Sequence, residues 1–400
     1  MCKLPVIILL VLSCGLTAHQ QSKKQQQMYP VITKGRYWFI DSTGKLLFEL
    51  PKGSYNVSNF SEGLADFGLR TGEGLSQFGF GYFDTQGKIS IEPKYREISR
   101  FSEGLAAIKV KEKMKWGFIN KSGEVIIDAQ FDSALPFSEG LASVRCRSDH
   151  PDRACRDKCG YIDKSGNWVI KPQFGIASSF SEGLARVATG EEWRPGMYGY
   201  INKEGVFVIP PTKYKSSSDF CEGLAMVQVH FPPVEECPPG RRCGDGVDKV
   251  GYIDKTGKMV IAPQFDGVYD VIYTASDVSE PFKYYSSDKE RDFSEGLAAI
   301  RMEDRLWGYA DKQGRIVIKP QFVYAGQFKE GLAAVAIRKS NKRIYGFINQ
   351  GGQFIIQPRY DDVHEFKHGL AAVFFTNSYG DMKKWGYINK KGEYVWQPTR

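Results

Sequence analysis

The amino-acid sequence predicts an all-β fold: a tandem array of about eight units, each of three short antiparallel strands, arranged as a β-propeller. Three observations carry that expectation. The phrase Phe-Ser-Glu-Gly-Leu-Ala is written five times, at 60–65, 101–106, 137–142, 180–185 and 293–298, and near copies begin at Phe220, Phe328 and Phe366. A second phrase, aromatic-Gly-aromatic-Ile-Asp/Asn, recurs between them at 116–120, 159–163, 198–202, 250–254, 307–311, 345–349 and 385–389, with 80–84 and a degenerate 37–41. The spacing is strict. Six residues separate the aromatic that ends one unit from the Phe that opens the next in six cases, among them Phe131 to Phe137 and Tyr360 to Phe366.

Each element follows from its residues. "GLAxVxV" alternates with the period of a half-buried strand. "WGYID" is rich in strand formers and ends on Asp or Asn. The "KSG" or "KTG" that follows suits a tight turn with Gly at positive φ. "xVIxP" reads as the third strand, its Pro ending the ladder for want of an N–H. The Pro-x-aromatic then leads over a fixed connection to the next Phe, and the two aromatics should pack between neighbouring units. The recurring Glu (62, 103, 139, 182, 222, 295, 330) reads as a turn hydrogen bond or exposed cap. A ring of carboxylates for a cation is the alternative. Trp116, Trp307 and Trp385 read as core, because Tyr, Cys and Val replace them in other units. Three strands per unit is one short of a propeller blade, so an open β-superhelix is the alternative architecture.

Taken together, "WGYIN…G…VIxPxF…F-EGLAxV" resembles the WG-repeat family, also called KWG repeats, over residues 36–400. The resemblance implies a β-propeller-like fold that mediates interactions and has no family-wide catalytic residue. The departures are the degenerate first unit, Cys159 in the Trp position and three insertions, at 191–197, 231–249 and 266–292.

The ends differ from the array. Residues 1–18 carry Lys3 and an apolar run, Leu4 to Leu12, too short to span a bilayer and suited to a secretory signal. Val11–Cys14 resembles a lipobox with Cys14 as the lipidated residue, and cleavage after Ala18 is the alternative. Residues 19–35 read as a flexible polar tether. The expected location is therefore the cell envelope, with a lipid anchor as the only membrane contact, or else periplasmic or secreted. Six further cysteines (146, 155, 159, 221, 237, 243) suggest disulfides in an exported chain. Cys237 and Cys243 close a small loop and are the first candidate pair. Among Cys146, Cys155, Cys159 and Cys221 the pairing stays open. None of these spacings is that of a zinc knuckle.

Composition is that of a globular chain: 42% apolar, 25% charged and net charge +8, with the charges interspersed. No run of like charge points to nucleic acid. His364-x3-His368 falls on a loop before a strand. No nucleophile elbow, phosphate loop or zinc-protease motif is present, so no cofactor, metal or catalytic residue is assigned. Binding residues are expected on the insertions, which map to loops of a repeat array. They are Trp193 and Arg194 in the first, Arg241 and Arg242 in the second, and Tyr269, Tyr273, Phe282, Tyr284 and Tyr285 in the third. The expected function is a non-catalytic interaction scaffold for a protein or envelope glycan. The alternative is an envelope carbohydrate-active hydrolase or lyase.

Overall fold

The EGLA and WG phrases occupy the two middle strands of each four-stranded sheet, and everything else in a unit hangs on that hairpin. The computed structural model describes residues 27–399 apart from 71–77, 147–152, 154, 192–193, 213, 233–245, 267–290, 303–304, 341 and 377–381. These residues form nine small antiparallel sheets arranged as a β-propeller. The blades cover 29–49, 54–95, 97–131, 133–174, 176–212, 216–266, 297–322, 324–360 and 362–399. The third is representative: an opening strand (Glu97–Ile98), an EGLA strand (Leu105–Val110), a WG strand (Lys115–Asn120) and a closing strand (Val125–Phe131). Seven sheets have four strands, so the expected three is one too few; the first and seventh blades have three. The extra strand lies in the six-residue connection. Outside blade eight, where it runs Tyr324–Lys329, only two residues pair, too few for an alternation to be legible.

The expected count of about eight becomes nine because the degenerate first phrase forms a true blade. Part of the expected tether is corrected with it. Tyr29–Thr33 is a strand paired with Arg36–Ile40, and Tyr29 faces Ile40 as Ala106 faces Ile119. This strand closes the ring. Tyr29, Val31 and Ile40 share one core with Leu370, Phe374 and Tyr387 of the last blade. The Tyr29 hydroxyl donates to the His368 carbonyl at 2.7 Å. Gly44 lies on Val395 just as Gly123 lies on Ile91 one blade earlier. Ends that meet in this way replace the open superhelix with a closed ring.

Neighbouring blades overlap like tiles. In most joints the opening strand packs on the preceding WG strand, and the closing strand on the next EGLA strand. The core therefore lies in the joints. Phe118, Ile127 and Phe131 of blade three share a cluster with Phe137, Val144 and Ile162 of blade four. The Phe of each EGLA phrase meets the central aromatic of the preceding WG strand, Phe137 on Phe118 and Phe180 on Tyr161, each at 4.9 Å. Where that aromatic is Tyr, its hydroxyl caps a carbonyl of the next blade, as Tyr161 does to Ser178 O at 2.8 Å. The expectation of inter-unit aromatic packing holds.

The glycine of "WG" has a steric cause. Along the WG strand Trp116 pairs with Phe131 and Phe118 with Ile127, so two steps on one side face four on the other. The resulting bulge presses its backbone onto Gly117, where a Cβ would stand 2.5 Å from Ile127 O. In most blades a Pro sits in this bulge, for example Pro172 inside Trp168–Phe174. The expectation that Pro ends the strand is corrected: the closing strand is the sheet edge, its bulge needs no N–H there, and pairing resumes at the aromatic. The Asp or Asn that ends the WG strand caps the following turn. Asp163 Oδ1 accepts the N–H groups of Ser165 and Asn167, each at 2.9 Å. The Asn167 N–H is the main cause holding that carboxyl below its ordinary value.

Candidate functional site

Strand direction gives the ring two faces. The chain descends the opening strand, turns at EGLA, ascends, turns again into the WG strand, descends, turns at "KSG" and ascends the closing strand. The EGLA and KSG turns therefore share one face, called here the turn face. The EGLA–WG loops and the connections between blades share the other, the loop face.

On the turn face each Ser-Glu-Gly-Leu forms a two-residue hairpin turn. Glu103 has φ 55° and Gly104 87°, and the other copies match. Positive φ suits Gly but strains Glu. The strain is offset across the joint. The Glu103 carboxylate accepts the Gly140 N–H of the next blade at 3.0 Å and pairs with Lys164 of its KSG turn at 3.1 Å. Glu62, Glu139, Glu182, Glu222 and Glu330 repeat this with Lys121, Lys203, Lys255, Lys312 and Lys390. At Glu295 the lysine is replaced by Gln350, which donates to the Glu295 carbonyl. Partial burial pushes the Glu62, Glu222 and Glu330 carboxyls up, but the lysine and glycine donors outweigh it and hold all three below their ordinary value. The recurring Glu is thus a joint, and its oxygens are occupied. A second bond runs beside it, from Ser102 Oγ to Phe137 O at 2.7 Å. Cys221 takes that serine's place and donates to Phe293 O at 3.1 Å.

The described ends of all three insertions lie on the loop face. Residues 191–197 and 231–249 lie in the EGLA–WG loops of blades five and six, and 266–292 connects blades six and seven. They form one sector of adjacent blades. Of the expected binding residues, Arg194 begins the strand Arg194–Ile201, its backbone paired with Glu191. Trp193, Arg241, Arg242, Tyr269, Tyr273, Phe282, Tyr284 and Tyr285 lie outside the described residues, as do Cys14, Cys237 and Cys243. No disulfide joins Cys146, Cys155, Cys159 and Cys221, the four described cysteines. Cys159 packs with Tyr161 and Phe174 in a joint core, which explains how it replaces Trp there.

Two features of the loop face escape the sequence reading. At the root of the second insertion, the Asp248 side chain is fully buried (0% exposed). It accepts hydrogen bonds from Lys215 Nζ, from Gln228 Nε2 at 3.0 Å and from His230 Nδ1 at 2.7 Å. Burial pushes the carboxyl up, and these donors outweigh it and hold it below its ordinary value. The cluster pins the hairpin Leu224–Phe231/Val247–Asp254 from which the insertion projects. Only cross-strand register, which pairs His230 with Asp248 over seventeen intervening residues of loop and strand ends, could have revealed it. The second feature is the hairpin of blade eight, where Arg338 pairs with Arg343 and Lys339 with Lys342. Among the described residues, no group of three or more His, Cys, Asp and Glu is placed to hold a metal ion. His364 packs against Phe374 with ring centroids 4.9 Å apart, and His368 occupies the turn position of the missing Glu.

No curated protein matches the chain in sequence. Solved structures similar to it include three of low identity. AztD from Citrobacter koseri is 13% identical at TM-score 0.37, covering 82% of this chain and 96% of that one. BamB from Moraxella catarrhalis is 10% identical at TM-score 0.38, covering 82% and 90%. The β-propeller domain of the Trilobed protease from Pyrococcus furiosus is 10% identical at TM-score 0.39, covering 87% and 100%. The model of the WG containing repeat matches seven times, at residues 80–113, 116–148, 160–193, 198–230, 251–272, 307–339 and 345–379. These matches span more than half of the sequence, and the chain belongs to the WG-repeat family.

Proposed function

We propose that this chain is a non-catalytic interaction scaffold, held at the cell envelope, that grips a protein or glycan partner through the insertions of its loop face. One observation carries the reading: the described ends of three insertions of unlike sequence lie on one face of adjacent blades, while the opposite face spends its recurring Glu and Ser on joints. A rigid ring with a variable rim suits recognition, because loops on a stiff scaffold lose little order on binding. The Trp, Tyr and Arg content of 191–197, 231–249 and 266–292 is that of binding anchors. The envelope location rests on residues 1–18 and on Cys14.

The test is in-cell crosslinking of the full-length chain followed by mass spectrometry, beside a variant with 267–290 replaced by a short linker and a Cys14→Ala variant. The reading expects a reproducible envelope partner that the linker variant loses. Equal recovery from the linker variant, or turnover of an envelope glycan by the purified protein, would overturn it.

A further inference from the structure

The closing strand of each blade buries its third residue and exposes the two before it. Ile127 and Ile170, both third residues, enter the joint cores. The second residue is Ile126, Val169, Val208, Val260, Val317 and Ile355 in blades three to eight, and each is 40–48% exposed. Trp168 and Phe207 stand beside two of them as first residues, also exposed. All follow directly on a KSG turn and therefore belong to the turn face. Among the described residues, thirteen of the eighteen exposed large hydrophobics lie at a KSG turn or in the first two strand residues after it, so the exposed apolar surface is gathered at one level of the ring. That level is the outer margin. Burial, and after it the Arg100 guanidinium of blade three, depresses the Lys367 ammonium of blade nine. Those two blades stand three steps apart in the ring, so the segments that open the blades meet near its axis and the closing strands, at the other edge of each sheet, face outward. An apolar band that continues over six adjacent blades marks an interaction surface, unlike apolar residues exposed singly.

We infer that the outer margin of the turn face rests on a lipid bilayer surface and so turns the loop face outward. The inference rests on the proposed envelope location and adds the surface that holds the ring there. The occupant follows from where the chain enters the ring. Tyr29 faces Ile40 at the turn-face end of the first hairpin, and its hydroxyl reaches His368 O in an EGLA turn. The chain therefore enters at the face that carries the band, and what precedes is the segment with the apolar run Leu4 to Leu12 and Cys14. Between Cys14 and residue 27 it extends at most about 45 Å. The layout of the face agrees. A second copy would call for an apolar centre and a polar rim; here exposed Arg100, Glu365 and Lys367 lie toward the axis and the apolar residues form the rim. A strand added to the outer edge is blocked by the Pro of the closing strands, such as Pro172 and Pro263. Aliphatic side chains with Trp and Phe at one level suit the boundary between headgroups and acyl chains. Six of the KSG-turn lysines are paired with glutamates, so the attachment is apolar rather than electrostatic.

The probes are vesicles of phosphatidylcholine alone and of phosphatidylethanolamine with phosphatidylglycerol, read by co-sedimentation. Every protein is the full chain carrying Cys14→Ala, so that no lipid anchor contributes and residues 1–26 are common to all. The first variant adds Ile126→Thr, Val169→Thr, Val208→Thr, Val260→Thr, Val317→Thr and Ile355→Thr, which keep the β-branch and remove the apolar tip. A milder variant carries only Val208→Thr and Val260→Thr and decides the matter if the six-site variant fails to fold. The 267–290 linker variant is the control. The inference expects the parent to bind both vesicles and to stay bound at about 0.5 M salt, where surface charge is screened. The six-site variant should bind roughly tenfold more weakly or worse, the two-site variant in between, and the linker variant as the parent does. Brominated lipid should quench the tryptophan fluorescence of the parent and quench Trp168→Phe less. A parent that ignores vesicles, a folded band variant that binds as the parent does, or binding lost at high salt would each overturn it. So would a lipid-free dimer that the two-site variant dissociates, because a second copy would then cover the band. Cell fractionation of the wild type separates the surface from the location. Wild type in the envelope beside a parent that ignores vesicles sinks this inference alone. Wild type away from any membrane beside a parent that binds vesicles removes the location and leaves the surface.

Discussion

The turn face and the loop face are made by the same nine blades, yet their residues answer to different constraints. On the turn face the recurring Glu and Ser are spent on the next blade. Glu139 reaches Gly183 and Lys203, Ser138 reaches Phe180 O, and the backbone accepts strain at φ 53° to permit it. On the loop face the connections vary in length and charge, and at blade eight they hold a repulsive arrangement that no joint requires. The difference shows where selection for stability ends. A joint must fit the same neighbour nine times around, so its residues repeat; a rim loop has no neighbour to fit, so it is free to specialise.

The largest effect that sharpens this contrast comes from the core beneath the turn face. Phe137 is 1% exposed and fills the joint between blades three and four. Phe137→Ala should cost about 3–5 kcal/mol, read as a fall in the denaturation midpoint. The 267–290 linker variant should melt within a few degrees of wild type while losing its partner, since Asp266 and Arg291 on either side stay in place. A linker variant that unfolds would erase the distinction between framework and rim.

Acid probes the framework next. His364 lies in the opening segment of the last blade, and burial pushes its imidazole down to about 4 from 6.5. A base whose folded value is depressed contributes stability above its unfolded value and loses it as pH falls through the folded one. Stability should therefore decline between pH 6.5 and 4, by roughly 3 kcal/mol for this one group. Below about pH 4.5 the depressed Glu62, Glu222 and Glu330 add to the loss as their joints protonate. Glu365 and Lys367 flank His364 in the chain, and burial pushes the Lys367 ammonium below its ordinary value. His364→Gln should flatten the upper part of the profile, read by chemical denaturation at stepped pH; an unchanged slope would remove His364 from the framework.

Much of this framework was legible. The phrases located the EGLA and WG strands, the inter-blade aromatics and the Gly of each turn, because each is a local solution copied intact. What stayed hidden was non-local or too short. The two-residue opening strands carry no period. The strand Tyr29–Thr33 lacks the EGLA phrase, since it begins the chain's ring and has no preceding turn to make, so it read as tether. The Pro of the closing strand read as a terminator because a bulge at a sheet edge leaves no pattern in sequence. The Glu–Lys joints needed the neighbouring blade: Glu103 and Lys164 are sixty-one residues apart and read singly as a turn and a surface charge. On the candidate site the position of the insertions was legible and their common face was not, because that depends on strand direction.

A smaller effect tests the glycine that the bulge presses on. Gly117→Ala places a methyl 2.5 Å from Ile127 O and 2.7 Å from Ala129 N, both backbone, so the closing strand must shift. The cost should be about 1–3 kcal/mol. By contrast Gly104 has open space around it, and its difficulty is φ 87° alone. Gly104→Ala should cost about 1 kcal/mol, less than Gly117→Ala. The reverse order, measured by urea denaturation, would mean that the bulge yields and that the turn is the stiffer element.

The smallest effect separates the two parts of a joint. Glu139→Ala removes the carboxylate from Gly183 N–H and Lys203 but leaves a side chain at φ 53°. It should cost about 1 kcal/mol, the value of a partly exposed charged hydrogen bond with its ion pair. Glu139→Gly removes the same contacts and also relieves the strained φ, so it should lie close to wild type. If both variants match wild type, the bridge contributes nothing and the Glu persists for another reason. If the glycine variant is as unstable as the alanine one, the strain is negligible and the bridge carries the whole joint. The expected split, alanine low and glycine restored, would show that the turn face tolerates an unfavourable backbone at each blade in order to reach its neighbour.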